Sequence, residues 1–232
     1  MLVLDHGAPG GLGSYHRVLS DDRVKVRVVR PASGAALPDW RSVDGIVALG
    51  GSMSVLDRAR LPWLGAEERL ISEAVRAGKP YWGVCLGAQL LASSLDAPVY
   101  RGHRPEVGVE LIEACVATRR DPVFSAVPDD FFALEWHQDT YELPAGAVLL
   151  AHSSRYRNQA FRWGPRAYGI QFHLELSSGH VRKWKGLASF HLRQRSPAPV
   201  PGSTQLLSML RLHAHAMANL SHTLLRRWLQ LL

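Results

Sequence analysis

Cysteine is scarce in this chain: Cys85 and Cys115 are the only two among 232 residues. Two thiols are too few for the disulfide framework of a small secreted protein, and no C-x-x-C pair suggests a zinc site. Long apolar runs are missing as well. The longest, such as 45–51 and 145–151, fall far short of the roughly 20 residues that cross a bilayer, so no transmembrane helix and no membrane partner is expected. The opening Met-Leu-Val-Leu-Asp-His lacks the basic start, apolar stretch and cleavage site of a signal peptide, which makes the cytoplasm the expected compartment. Acidic residues are absent from one long stretch: positions 176–232 carry eight Lys or Arg and no Asp or Glu. Positions 1–175 hold 19 basic and 20 acidic residues, so the net charge of +7 belongs to the tail. No nucleic-acid motif and no aromatic-basic interleaving accompanies that charge, which argues against nucleic acid as the partner.

What is present is apolar surface. At 47% apolar and 20% charged residues, the chain can bury a large core and is not a disordered segment. Its length suits one large domain. Short β-rich runs (1–5, 24–30, 45–50, 80–84) alternate with helical patterns, the signature of a parallel sheet covered by helices on both faces. Between the last two runs, Leu61 to Ala77 reads as a helix, with Pro62 in its first turn, Leu64, Leu70, Ile71, Ala74 and Val75 at helical spacing, and Gly78 at its stop. A second helix follows Cys85. From Val99 onward the pattern changes to shorter strands (108–114, 131–136, 147–152, 159–163, 167–172), which read as a small antiparallel extension. The expected architecture is therefore α/β, a mostly parallel open sheet flanked by helices, with a helical C-terminal segment. Ser196-Pro-Ala-Pro-Val-Pro-Gly-Ser203 is linker-like by composition. It divides the chain into a domain over 1–192, a linker over 193–204 and a C-terminal helix over 205–232, with a further helix near His180–Leu192.

The chemistry-bearing residues fall in three segments. In Tyr81-Trp-Gly83-Val-Cys85-Leu-Gly87-Ala-Gln89 a cysteine stands between glycines two residues away on each side, where an apolar strand meets a helix. That is the steric pattern of a nucleophile elbow, and a helix N-terminus favours a thiolate there. The Leu86 amide can donate to an oxyanion. A packing cysteine between incidental glycines would look similar. In Gly169-Ile-Gln-Phe-His173-Leu-Glu175 a histidine and a carboxylate two apart leave a strand on the same side, which supplies a base and a group to orient it. In Gly45-Ile-Val-Ala-Leu-Gly50-Gly51-Ser52-Met53 an apolar strand runs into a double glycine, making the Gly51 amide a second oxyanion donor candidate.

Taken together with Glu-Trp-His-Gln-Asp-Thr at 135–140, these segments occur in the order seen in class I glutamine amidotransferases, and the chain resembles their stand-alone, GMP-synthase-like branch. The resemblance implies the flavodoxin-like fold of that family and a Cys-His-Glu triad of Cys85, His173 and Glu175. It also implies glutamine, or a γ-glutamyl small molecule, bound against Gly51, Leu86 and Gln89, with a loop of Trp136, His137, Gln138 and Asp139 closing the pocket. Two departures stand out. Ser52 replaces the proline that often follows the two glycines, and Gln138 replaces the glycine usual after the histidine, where a side chain would crowd the ligand.

No synthetase module is recognisable, so the ammonia acceptor is expected on another chain, a synthetase or acceptor protein in trans. A γ-glutamyl hydrolase on the same triad, needing no acceptor, stays open, as does a non-catalytic module that keeps the fold. No cofactor and no metal is expected. Gly10-Gly11-Leu-Gly13 lacks the Lys-Ser/Thr of a phosphate loop and reads as a turn, and the tail histidines have no carboxylate or cysteine beside them. Cys115 follows an alternating strand and reads as packing. The tail's apolar residues at helical spacing (Leu206, Leu207, Met209, Leu210, Leu212, Met217, Leu220, Leu224, Leu225, Trp228 and Leu229) exceed what one helix needs to cover a sheet edge and leave two roles open: a helix docked on its own domain, or an outer face that binds an acidic partner or a second copy.

Overall fold

The structure, a computed structural model, describes residues 1–8, 10–180 and 202–232. Nine strands form one sheet: β1 (Leu2–Leu4), β2 (Arg27–Val29), β3 (Ile46–Ala48), β4 (Tyr81–Val84), β5 (Val99–Ala114), β6 (Asp130–Tyr141), β7 (Val148–Ser153), β8 (Ala160–Trp163) and β9 (Ala167–Ile170), in the order β2-β1-β3-β4-β9-β8-β7-β5-β6. The first five in that order are mutually parallel and the remaining pairs antiparallel. The antiparallel part is larger than its sequence suggested, since β5 and β6 pair over most of their 16 and 12 residues.

β9 is the joint between the two halves. It runs antiparallel to β8 but parallel to β4, with Gly169 opposite Gly83 and Ile170 opposite Val84. Residues 171–175 therefore leave the sheet beside the end of β4. The ends of β1, β3, β4 and β9 come together at the carboxyl edge, where open α/β sheets bind their ligands.

Helices cover both faces. α1 (Tyr15–Asp21) lies on one face. α2 (Pro62–Arg76) and α3 (Leu86–Ser94) lie on the other, with Leu64, Leu70, Ile71, Ala74 and Val75 buried as their spacing implied. Beyond His180, which is helical, the helix expected near His180–Leu192 lies outside the described residues, as do all but the last three residues of the linker-like segment 193–204. The final helix, α4, spans Ser203–Leu229. Among the described residues no helix is long and apolar enough to cross a membrane.

α4 is docked on its own domain. Leu206, Leu210, Met217, Leu224, Leu225 and Trp228 are buried in the same cluster as Val18, Trp82, Phe124 and Tyr168. Arg227 donates to Ser125 Oγ at 2.7 Å, and Arg226 faces Asp21 and Asp22 at 3.4 and 3.7 Å. The apolar stripe that could have served a second copy is thus used within the chain, and Leu212 is the large apolar side chain that the helix leaves exposed. Trp228 is its anchor: fully buried, 5.8 Å from the Trp82 ring, and donating Nε1–H to Arg166 O at 3.1 Å. Truncating a buried tryptophan costs about 3–5 kcal/mol. Trp228→Ala should lower the urea midpoint correspondingly without altering the denaturant slope, as followed by circular dichroism.

Candidate active site

Cys85 caps α3 with φ 52° and ψ −107°, a backbone conformation that L-residues rarely adopt. Its neighbours hold it there. Cys85 N donates to Ile170 O at 2.7 Å, and Cys85 O accepts from Ala88 N and Gln89 N at 3.0 and 3.1 Å. The flanking glycines allow the sharp turn: a methyl on Gly87 would lie 2.2 Å from Ala48 O, and one on Gly83 would lie 2.5 Å from Gly87 O. Tyr81 Oη donates to Gly87 O at 2.8 Å and fixes the first helical turn. Leu86 opens the helix, so its amide has no carbonyl one turn earlier to bond and is free to face a ligand.

His173 lies three residues beyond the end of β9. It is secured by an isolated bridge to Leu134, with His173 N to Leu134 O at 2.8 Å and Leu134 N to His173 O at 3.1 Å. The chain has already left the strand, yet the two-residue spacing still brings the side chains together, with His173 Nδ1 at 2.6 Å from Glu175 Oε1. The imidazole and the Cys85 side chain both lie against the backbone of Gly50. Burial opposes charge on this ring, but the Glu175 carboxylate, the hydrogen bond that the ring donates to it and the neighbouring Cys85 outweigh it and hold the pKa well above the ordinary histidine value. The turn at 10–13 forms as expected and braces the backbone of Glu175, Ser14 N donating to its main-chain carbonyl at 2.9 Å.

The double glycine forms the third wall. A methyl on Gly50 would lie 3.0 Å from His173 Cε1 and 3.5 Å from Cys85 Cβ, so a side chain there would crowd the histidine ring. Gly51 follows at the same edge, next to Leu86, whose Cδ2 a methyl there would meet at 2.8 Å. The structure thus brings Cys85, Leu86, Gly50, Gly51, His173 and Glu175 into one site.

The residues expected to line a closing loop are placed differently. Trp136, His137, Gln138 and Asp139 lie inside β6, because β5 offers a long partner strand across from them. Trp136 packs against the core. Gln138 turns away to β5, its Oε1 accepting from Arg101 at 3.1 Å and its Nε2 donating to Gly102 O at 3.2 Å. Asp139 Oδ2 accepts from Ser54 Oγ, and its main-chain carbonyl accepts from Gln89 Nε2 at 3.0 Å. Gln89 also donates to Gln171 Oε1 at 3.1 Å and is buried beneath the elbow.

His137 is buried between two carboxylates, its Nε2 3.2 Å from both Glu106 Oε2 and Glu135 Oε2, while Nδ1 faces Asp139 O at 3.0 Å. Neither a carbonyl nor a carboxylate can donate, so both ring nitrogens carry protons. Burial works against that charge, and hydrogen bonds to Glu106 and Glu135 more than offset it, raising the His137 pKa to about 10. Burial likewise pushes Glu135 up to about 7. These three side chains are the one group among the described residues whose potential metal-donor atoms converge, within 4.8 Å. The cationic ring already lies within 3.2 Å of both acids, and the group reads as a structural brace behind β6. Sequence reading missed Glu106 and Glu135, and it also missed His6 and Glu67, which pair at 2.9 Å near Gly51.

The family model for class I glutamine amidotransferase matches residues 10–184. The chain belongs to the class I glutamine amidotransferase family. This amidotransferase is 31% identical over 169 residues to the glutamine amidotransferase-like protein YfeJ of Salmonella typhimurium, covering 71% of each chain. It is 29% identical to one subunit of the glutamine-hydrolysing GMP synthase of Methanocaldococcus jannaschii, covering 76% of this chain and 88% of that one. A crystal structure of a glutamine amidotransferase from Methylobacillus flagellatus superposes with a TM-score of 0.91 at 27% identity, covering 100% of this chain and 94% of that one. The amidotransferase is accordingly an enzyme, an amide hydrolase of this family.

The amidotransferase carries a pH signature in its His137 brace. The ring pKa rises from the ordinary 6.5 to about 10 on folding, so its contribution to stability is complete below pH 6.5 and is lost as pH climbs through 10. Urea unfolding between pH 7 and 10 should show stability falling with pH. In His137→Gln the protein should be weaker at pH 7 and the fall over that range shallower, since the titrating group is gone.

Proposed function

We propose that this amidotransferase hydrolyses the side-chain amide of glutamine through a Cys85-His173-Glu175 triad and releases ammonia for an acceptor held on another chain. The charged His173 ring holds the proton taken from Cys85, and the thiolate so formed attacks the carboxamide carbon. The Leu86 and Gly51 amides receive the oxyanion of the tetrahedral intermediate. Collapse expels ammonia, protonated by the imidazolium, and leaves a thioester, which water hydrolyses to glutamate with His173 again as base. Glu175 keeps Nδ1 as a donor and stabilises the charged ring. One observation carries this reading: the His173 ring is bonded on one side to Glu175, at 2.6 Å, and its other edge lies with Cys85 against the bare backbone of Gly50.

Two further points support it. The turn of Gln138 toward Arg101 removes the crowding that its side chain would otherwise cause. The partner in trans is inferred from the archaeal relative of similar length, which itself works within a multi-subunit synthase.

Purified protein incubated with glutamine should release ammonia and glutamate. Cys85→Ala should abolish turnover, and Glu175→Gln should lower kcat by roughly 10²- to 10⁴-fold, both without unfolding. A glutamine-like electrophile, located by mass spectrometry, should label Cys85 and spare Cys115, whose thiol burial pushes up. Label on Cys115 alone, or wild-type turnover by Cys85→Ala, would refute the triad. Turnover of γ-glutamyl compounds without free glutamine would replace the substrate and keep the mechanism.

A further inference from the structure

A second buried histidine stands against the double glycine, and the triad does not use it. His6 follows β1, and its side chain and that of Glu67 on α2 are both fully buried. His6 Nδ1 lies 2.8 Å from Leu49 O, and Nε2 lies 2.9 and 3.1 Å from the two Glu67 oxygens. The ring stacks on Trp63, with centroids 5.9 Å apart and planes 18° from parallel. Both ring nitrogens face oxygens that cannot donate, so each carries a proton and the ring is cationic. Asp5, the other carboxylate near it, is occupied by Arg30 at 2.9 Å and by Gly7 N at 2.9 Å, which leaves Glu67 as the counter-ion.

The bond to Leu49 O has a directional consequence. In a planar trans peptide the carbonyl and the next N–H point in opposite directions, so holding Leu49 O fixes the direction of Gly50 N–H and the start of the turn. Gly51 then rests on the same residue: a methyl there would lie 2.8 Å from His6 Cβ. We infer that His6, locked by Glu67, is a positioning residue that aims the Gly50–Gly51 backbone, and with it the Gly51 oxyanion donor, at the carbonyl attacked by Cys85. This inference rests on the amide-hydrolase reading above. The elevated pKa of His6, which burial would lower but which the Glu67 charge and hydrogen bond raise, agrees with a cationic ring at neutral pH.

The test separates reactions that form an oxyanion from one that does not. Alkylation of Cys85 by iodoacetamide forms the S–C bond and expels iodide with no oxyanion, whereas glutamine hydrolysis needs the donor. Loss of one oxyanion donor costs about 10²- to 10³-fold in kcat. His6→Ala should therefore lower kcat about 100-fold, and Glu67→Gln, which keeps an acceptor for Nε2–H but removes the charge, about 10-fold. In both, KM should stay within about two-fold and the alkylation rate should match wild type. In 15N-labelled protein, Glu67→Gln should shift the Gly50 and Gly51 amide signals more than that of Leu86. Unchanged kcat, or equal losses of turnover and alkylation, would overturn the inference. If His6→Ala does not fold, Glu67→Gln decides alone. If wild-type protein hydrolyses no amide, the proposed function fails, and unshifted glycine amides in Glu67→Gln would then refute the positioning as well.

Discussion

The site depends on a turn at Cys85 that a sequence of ordinary residues would not make. A positive φ at a non-glycine residue costs about 1–3 kcal/mol and persists only where its surroundings over-determine it. Here the surroundings are backbone. β9 enters parallel to β4 and offers Ile170 O to Cys85 N, while α3 starts so close to β3 and β4 that only glycine fits at 83 and 87. The same parallel entry of β9 leaves residues 171–175 beside the elbow. One sheet pairing thus holds Cys85 in a strained turn at a helix start and delivers His173 to it.

The second regularity is electrostatic. Among the described residues three histidines are buried, His6, His137 and His173, and each sits against at least one buried carboxylate. Two of them have both nitrogens on acceptors and serve as fixed cationic struts. The third faces a carboxylate on one side and a thiol on the other, so its Nε2 side is where a proton can move. In the proposed mechanism His173 differs from the bracing histidines His6 and His137 through that one neighbour, a sulfur in place of an oxygen acceptor.

Much of this was legible in the chain. Glycines two residues either side of Cys85, at a strand-helix junction, can be read locally because the steric demand is local, and so can the spacing of His173 and Glu175. The periodicity of α2 and the apolar stripe of α4 also carried through. The closing loop at Trp136–Asp139 did not, because whether such a segment is loop or strand depends on a partner, β5, some 30 residues earlier in the chain. His6 and Glu67 were invisible for a related reason: 61 residues separate them, and neither lies in a motif. On α2 an acid at position 67 looks like solvent-facing charge until the end of β1 is known to pack over it.

The placement of these ion pairs bears on why they are there. A buried ion pair is a weak source of stability, because desolvation offsets most of the attraction, and well-packed apolar residues of similar volume often do as well or better. The apolar faces of the sheet follow that rule, filled by Trp82, Phe124, Tyr168 and Trp228 on one side and by Leu64, Ile71 and Leu90 on the other. The His6–Glu67 pair breaks it at the carboxyl edge, where the backbone of a double glycine must stop at one angle. An apolar contact resists compression but tolerates sliding, whereas hydrogen bonds from a cationic ring to one carbonyl and one carboxylate fix direction as well as distance. Breaking such a pair strands a buried charge, at about 3–5 kcal/mol, so the geometry is defended even where its net contribution to folding is small.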